Sequence, residues 1–321
     1  MDIGGTHARF AYAGIEGGRV SYLEEPYTLK TSDFRELRDA WEQFRRQSRD
    51  RQPSGAAIAF AGPVGGDRLK LTNNAWEIRP ASLAEELGVE RCHVVNDFGA
   101  VAHAVACLPE SDFRHIGGPD EPLPNEGVIS VVGPGTGLGV AQLLRRDGRD
   151  IVIDTEGGHI HFAPLDVIED LILAHLRGRH GRVSVERVVA GAGLANIHEA
   201  LSAAGGREVD RPDEKSLWHA ALDRQDAAAA AALDRFLLSL GSVAGDLALA
   251  HGASGVVIAG GLGLRLRDRL AASGFHARFV AKGRYQARME EMPVKLLTHE
   301  QPGLYGAAAA FAQHWTGKLQ S

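Results

Sequence analysis

The amino-acid sequence predicts an α/β protein, built as two domains or as one large α/β domain. Three observations carry this reading. Short apolar runs of strand character alternate with stretches of helical periodicity along all 321 residues. Glycine is over-used, with 39 residues, and much of it falls in tight clusters directly after strand-like runs. One such cluster occurs in two similar copies. Asp2-Ile-Gly-Gly-Thr6 leads into the alternating run Ala8 to Tyr12, and Gly133-Pro-Gly-Thr-Gly137 leads into Leu138 to Leu143. A repeated turn-and-strand unit predicts two similar half-molecules, each presenting a phosphate-facing turn.

Taken in order, Ala56 to Ala61, His93 to Val95, Val128 to Val132, Ile151 to Ile153, Gly255 to Ala259 and Val294 to Leu297 read as buried strands. Phe34, Leu37, Trp41 and Phe44 step by three and four, and Asp33 with Glu36 has the spacing of a capping box at the start of that helix. A longer helix is predicted from about Asp226 to Ala250, with Leu233, Phe236, Leu237, Leu240, Val243, Ala244 and Leu247 on one stripe. A last helix begins near Pro302, where proline suits the first turn, and runs to about Trp315. The most polar, loop-like stretch is 203–215, inside the second half.

Composition narrows the function. With 44% hydrophobic and 24% charged residues the chain has the material for a core. A formal net charge of −6, with Lys and Arg scattered, argues against a nucleic-acid partner. Cys92 and Cys107 are the only cysteines, which excludes a disulfide framework and a four-cysteine zinc site. Few cysteines, charged residues within the first ten positions and no apolar run of roughly 18 residues point to the cytoplasm rather than a membrane or an export route.

The glycine clusters suit phosphate. Phosphate oxygens need several backbone N–H donors at short range, and glycine lets the main chain come that close. Gly4-Gly5-Thr6 and Gly135-Thr136-Gly137 fit, with the threonine hydroxyls as further donors, and Gly260-Gly261 follows an apolar strand where a nucleoside end can rest. No Gly-x-x-x-x-Gly-Lys-Ser/Thr is present, and Leu138 stands where a Gly-x-Gly-x-x-Gly motif needs its last glycine. The bland alternative is that these glycines only make hairpins.

The polar residues suit a sugar. Asp97 follows the strand His93 to Val95, and a carboxylate at the carboxyl end of a strand faces the ligand side of an open α/β sheet. It can take the proton of an attacking hydroxyl, because phosphoryl transfer is loose and that proton leaves late; alternatively it caps a helix. Glu156, His159 and Glu186 have the chemistry to read a ring of hydroxyls with paired hydrogen bonds. His159 and His161 with Glu156 also admit a two-histidine, one-carboxylate metal reading. Asp2, just before the first turn, is the natural magnesium ligand, through water; alternatively it caps the turn.

In this order and spacing the motifs resemble the bacterial ATP-dependent glucokinase family, the branch distinct from the repressor/kinase (ROK) proteins. The resemblance runs through Asp2 to Arg9, Thr72-Asn73-Asn74-Ala75-Trp76, Asn96-Asp97-Phe98, Gly133 to Gly139, Glu156 to His159 with Phe162-Ala-Pro164, Ser184 to Val188, Ile258 to Gly261 and Pro302 to Leu304, almost the whole chain. It implies an actin-like ATPase (ribonuclease H-like) fold, with two α/β domains flanking a cleft and closing on sugar and nucleotide. It implies a small domain of 1–107 plus about 298–321, and a large domain of 108–297 carrying the sugar and nucleotide sites and a homodimer contact. It implies that ATP with Mg2+ phosphorylates the 6-hydroxyl of glucose, with Asp97 as base. Asn73, Asn74, Asn96, Gly137, Glu156, His159 and Glu186 would hold the sugar. Gly4, Gly5, Thr6, Gly135, Thr136 and Gly137 would hold phosphates, and Gly260 and Gly261 would border adenosine. Other hexose kinases and a non-catalytic sugar sensor are the rival readings. One departure concerns the front of the chain. Such glucokinases carry several apolar residues before the Asp-x-Gly-Gly-Thr turn, whereas Met1 alone precedes Asp2 here. The first strand is therefore expected to be short and to leave ladder hydrogen bonds unmade.

Overall fold

The computed structural model describes residues 1–49, 51–71, 74–206 and 213–319, the last four of these by their backbone alone. Contacts divide the chain into two compact units, Met1–Pro109 with Val152–Asp154 and His299–Ser321, and Glu110–Ile151 with Thr155–Thr298.

In the first unit, β1 (Asp2–Ile3) and β2 (His7–Phe10) form a hairpin around the first glycine turn. A small hairpin, β3 (Ala13–Glu16) and β4 (Arg19–Leu23), precedes β5 (Tyr27–Lys30), and α1 (Leu37–Gln47) buries Leu37, Ala40, Trp41 and Phe44. Then follow β6 (Gly55–Phe60), a two-stranded piece of β7 (Leu69–Lys70) and β8 (Glu77–Ile78), α2 (Leu83–Leu87), β9 (Arg91–Asn96) and α3 (Asp97–Cys107). The sheet order is β5-β2-β1-β6-β9, antiparallel as far as β1 and parallel beyond it. Trp41, Phe44 and Phe10 pack as an aromatic group under α1, apolar area that holds helix to sheet.

Two expectations change here. The capping box at Asp33 and Glu36 does not form. Thr31–Asp33 is a turn of 3-10 helix, the helix starts at Leu37, and neither candidate side chain caps it. Local spacing was overridden by a distant contact, since Thr31 Oγ1 donates to Gly5 O at 2.8 Å and ties this segment to the glycine turn. Strand β1 is short, as expected, but its ladder is made. The Met1 amino group donates to Ala57 O at 2.7 Å, and Ala59 N donates to Met1 O at 2.9 Å.

The second sheet, nearly all of it in the second unit, is built on β10 (Phe113–Gly117), β11 (Gly127–Pro134), β12 (Leu138–Arg146), β13 (Arg149–Thr155), β14 (Ala253–Ile258) and β15 (Val294–Leu297), in the order β10-β15-β14-β11-β12-β13. Strand β11 pairs antiparallel with β12 around the second glycine turn and parallel with β14, which is parallel to β15. That repeats the first unit: a glycine hairpin whose first strand also opens a parallel pair. The sequence echo is thus a topological one. Strand β13 is the edge of this sheet, so Ile151 and Ile153 are exposed rather than buried as the apolar run suggested.

Among the described residues, nine helices of this unit follow: α4 (Val167–His180), α5 (Glu186–Val189), α6 (Gly193–Ala204), α7 (Glu214–Leu222), α8 (Ala227–His251), α9 (Gly260–Arg265), α10 (Arg267–Leu270), α11 (Phe275–Val280) and α12 (Gln286–Glu290). The expected loop 203–215 begins in the end of α6, and 207–212 lie outside the described residues. Helix α8 starts where predicted, with Asp226 accepting from Ala229 N at 2.7 Å. Among the described residues it alone is long and apolar enough to cross a bilayer, but 67% of its apolar window is buried against α6, α7, α11 and the sheet. Its apolarity is that of a core helix.

After β15 the chain returns to the first unit as α13 (Pro302–Leu319). It packs on α3 so closely that a Cβ on Gly306 would strike the Ala100 carbonyl. Only glycine permits that approach.

Candidate active site

In the first sheet Ile3, Phe60 and Asn96 stand level, so Gly4, Ala61 and Asp97 all lie just beyond the same carboxyl edge. The first glycine turn closes through Gly4 N to His7 O at 2.9 Å, and Thr31 holds it from outside by bonds to the carbonyls of Gly5 and Thr6. With those carbonyls tied back, the turn is stiff and its donors are the groups left to meet a ligand. Asp2 shares one carboxylate oxygen with Arg9 at 2.9 Å, and Gly303 in the first turn of α13 lies beside it, where a Cβ would be 3.3 Å away. The sequence motifs contain both neighbours but gave a role to Asp2 alone.

Asn96 and Asp97 divide their work. Asn96 Oδ1 accepts from Phe98 N at 2.9 Å and Gly99 N at 3.0 Å, while its Nδ2 donates to Gly62 O at 3.2 Å. It is the N-cap of α3, so the cap considered for Asp97 belongs to its neighbour. Asp97 occupies the first helical turn, with Oδ1 2.8 Å from Phe98 N, where the positive end of the helix favours a carboxylate. Asn74 accepts from Trp76 N at 2.9 Å, and the buried Trp76 indole donates to Phe34 O at 3.1 Å, anchoring that loop. Asn73 lies outside the described residues.

In the second unit four predicted residues converge. His159 Nδ1 is 3.6 Å from Glu186 Oε1, and its Nε2 is 4.0 Å from Glu156 Oε2. Gly137 sits so near that a Cβ there would be 3.2 Å from Glu186 Oε2. The segments are brought together by a bridge between His161 and Ser184, with Val185 N donating to Ile160 O and Phe162 N to Val183 O. The turn Gly157–His159 lies flat on β12, because a Cβ on Gly158 would meet the Leu138 carbonyl. Arg182, which the sequence had not singled out, donates to His159 O and to His161 Nε2. His161 therefore faces a guanidinium while His159 faces carboxylates, which does not suit a shared metal. Among the described residues no three His, Cys, Asp or Glu side chains form a metal-holding group.

The second glycine turn closes through Gly135 N to Gly137 O at 2.8 Å. Behind it, Gly191 N donates to Gly135 O at 2.7 Å, and the buried Trp218 indole donates to Gly191 O at 3.2 Å. These supports are distant in sequence and have no local signature. Gly260, at φ +82, opens α9 beside Pro134, whose carbonyl would be 2.9 Å from a Cβ. The second unit thus joins the second glycine turn, Gly260 and the cluster of Glu156, His159 and Glu186. Asp2, Gly4 to Thr6, Asn74, Asn96 and Asp97 belong to the first unit.

Solved proteins share this fold. A glucokinase from an Antarctic psychrotroph superposes with a TM-score of 0.84 at 34% identity, covering 96% of each chain. A Balamuthia mandrillaris glucokinase in complex with glucose superposes with a TM-score of 0.81 over 98% of this chain and 92% of that one; at 22% identity it speaks for the fold alone. The class is therefore that of sugar kinases on the actin-like ATPase fold. The sequence profile described as Glucokinase matches residues 1–314, and the glucokinase of Zymomonas mobilis subsp. mobilis is 57% identical over 98% of both chains. The chain belongs to the glucokinase family.

Proposed function

We propose that the chain transfers the terminal phosphoryl group of ATP to the 6-hydroxyl of glucose, giving glucose 6-phosphate and ADP, with the residues above in the following roles. Glu156, His159 and Glu186 hold sugar hydroxyls, each able to accept or donate. Asn74 and Asn96 each keep amide N–H groups that their internal bonds leave over, available to a sugar hydroxyl. Asp97 takes the proton of the 6-hydroxyl as that oxygen forms its bond to the γ-phosphorus, while the bond from phosphorus to the β–γ bridging oxygen breaks and ADP departs. Gly4 to Thr6 and Gly135 to Gly137 supply N–H donors to phosphates, and Gly260 and Gly261 border the nucleoside. Asp2 keeps one oxygen outside its pair with Arg9, which fits a magnesium ion held through water. Magnesium bound there supplies positive charge against the phosphates.

The observation that carries this reading is Gly137. It closes the phosphate turn and at the same time abuts Glu186 of the sugar cluster. A kinase needs acceptor and phosphoryl group side by side, and this residue belongs to both subsites. We further propose that the enzyme works in the cytoplasm as a homodimer, that the first unit is the small domain, and that the second carries the nucleotide. A coupled assay of ADP release tests the reaction, with glucose, mannose, fructose and glucosamine in parallel and with magnesium present or chelated. Magnesium-dependent turnover strongest on glucose is expected. Equal or faster turnover on another hexose overturns the substrate, and turnover unaffected by chelation overturns the metal.

A further inference from the structure

Helix α4 exposes an apolar row that none of the described residues covers. Val167 is 73% exposed and Leu171 46%, and Leu165 just before the helix is 52%. At about 100° per residue, Val167, Leu171, Ala174 and Gly178 fall within one narrow sector of the helix, and all four are exposed. Single exposed apolar residues are ordinary, whereas an aligned row of them marks a surface that meets something. Beside the row, on one flank, stand Asp170 and Arg177. Both are exposed, and neither pairs with another charged side chain among the described residues.

The row is complementary to itself. When two copies of α4 run antiparallel about a two-fold axis near residue 173, Val167 meets Gly178 and Leu171 meets Ala174, large against small in each case. The same axis brings Asp170 of each helix to Arg177 of the other, because a two-fold axis perpendicular to the helices matches like flanks. Acid and base stand on opposite sides of the centre of the apolar row, Asp170 about 4 Å and Arg177 about 7 Å from it along the axis, a difference within the reach of the long arginine side chain.

We infer that this face of α4 seats a second copy of the same chain, antiparallel, with two symmetric Asp170–Arg177 pairs. The inference rests on the homodimer proposed above and assigns its contact. The test is sedimentation equilibrium on the full chain across a concentration series. The parent is expected to dimerise, and Leu171→Glu to weaken dimerisation at least 100-fold without lowering the thermal midpoint. Asp170→Arg and Arg177→Asp are each expected to weaken it about tenfold, and the double exchange to restore it. A parent that stays monomeric at every concentration overturns both the dimer and its seat. A dimer unaffected by Leu171→Glu overturns the seat and leaves the dimer standing. Single exchanges that weaken association without rescue by the double exchange overturn the antiparallel register.

Discussion

Replacing Asp97 with asparagine separates two jobs that a residue at the start of a helix can hold. The cap of α3 is supplied by Asn96, through bonds to Phe98 N and Gly99 N. Asparagine at position 97 keeps an oxygen for Phe98 N and loses a negative charge in the first helical turn. That loss is worth about 0.3–1 kcal/mol of stability, or roughly 1–4 °C for a unit of this size. As a general base, however, an amide is useless, and removing such a group typically lowers kcat by about 10²–10⁴, or about 3–5 kcal/mol of barrier. Asn96→Ala should behave in the opposite way. It removes the cap, at about 0.5–2 kcal/mol, and also the bond to Gly62. The assay is ADP release at saturating glucose and ATP, with thermal unfolding on the same preparations. An Asp97→Asn enzyme turning over within about threefold of the parent, or losing as much stability as Asn96→Ala, would refute the division of labour.

Other outcomes follow from the same contacts. Gly137→Ala puts a methyl group 3.2 Å from Glu186 Oε2 and should raise KM for glucose several-fold; unchanged sugar kinetics would detach Gly137 from the sugar cluster. Trp218→Phe keeps an aromatic ring but loses the N–H to Gly191 O behind the phosphate turn. KM for ATP should rise about three- to tenfold with KM for glucose steady, and parallel changes in both would mean a general packing defect. His251 and His276 are held below their ordinary pKa by burial, His276 also by the neighbouring His115. The unfolded chain therefore binds more protons as pH falls below about 6.5. Their contribution to stability is full above that pH and is lost as pH falls through the lower folded values. Denaturant unfolding at pH 7.5, 6.5 and 5.5 should show the decline, with His276→Gln flattening it, and a level profile would contradict it.

What the sequence made legible was periodic or local. Asp226 and the stripe Leu233 to Leu247 announce α8 because cap and period are both written within one helix. The two glycine turns were visible because each sits between strand runs, and their common topology follows from that. The edge position of β13 was not legible, since Ile151 and Ile153 look like any apolar strand until the strand order is known. The supports of the site were hidden for the same reason. Thr31 reaches Gly5, Trp218 reaches Gly191 and Arg182 reaches His159, each across more than twenty residues of chain. Nothing at either end marks such a bond beforehand. Asn96 was not legible as the cap, because capping depends on where the helix starts, and one residue decides it.

The return of α13 to α3 also sets an order of events during synthesis. Nearly all of the second unit is one stretch, and its sheet is complete once β15 has left the ribosome. The first unit, though made first, has a gap under α3 that only the last helix fills: Ala307 joins Ala59 and Ala100 there, and Gly306 presses on the Ala100 backbone. Until those residues emerge, Ala59 and Ala100 lack the neighbour that completes their cluster. The half translated earliest is therefore the half completed last.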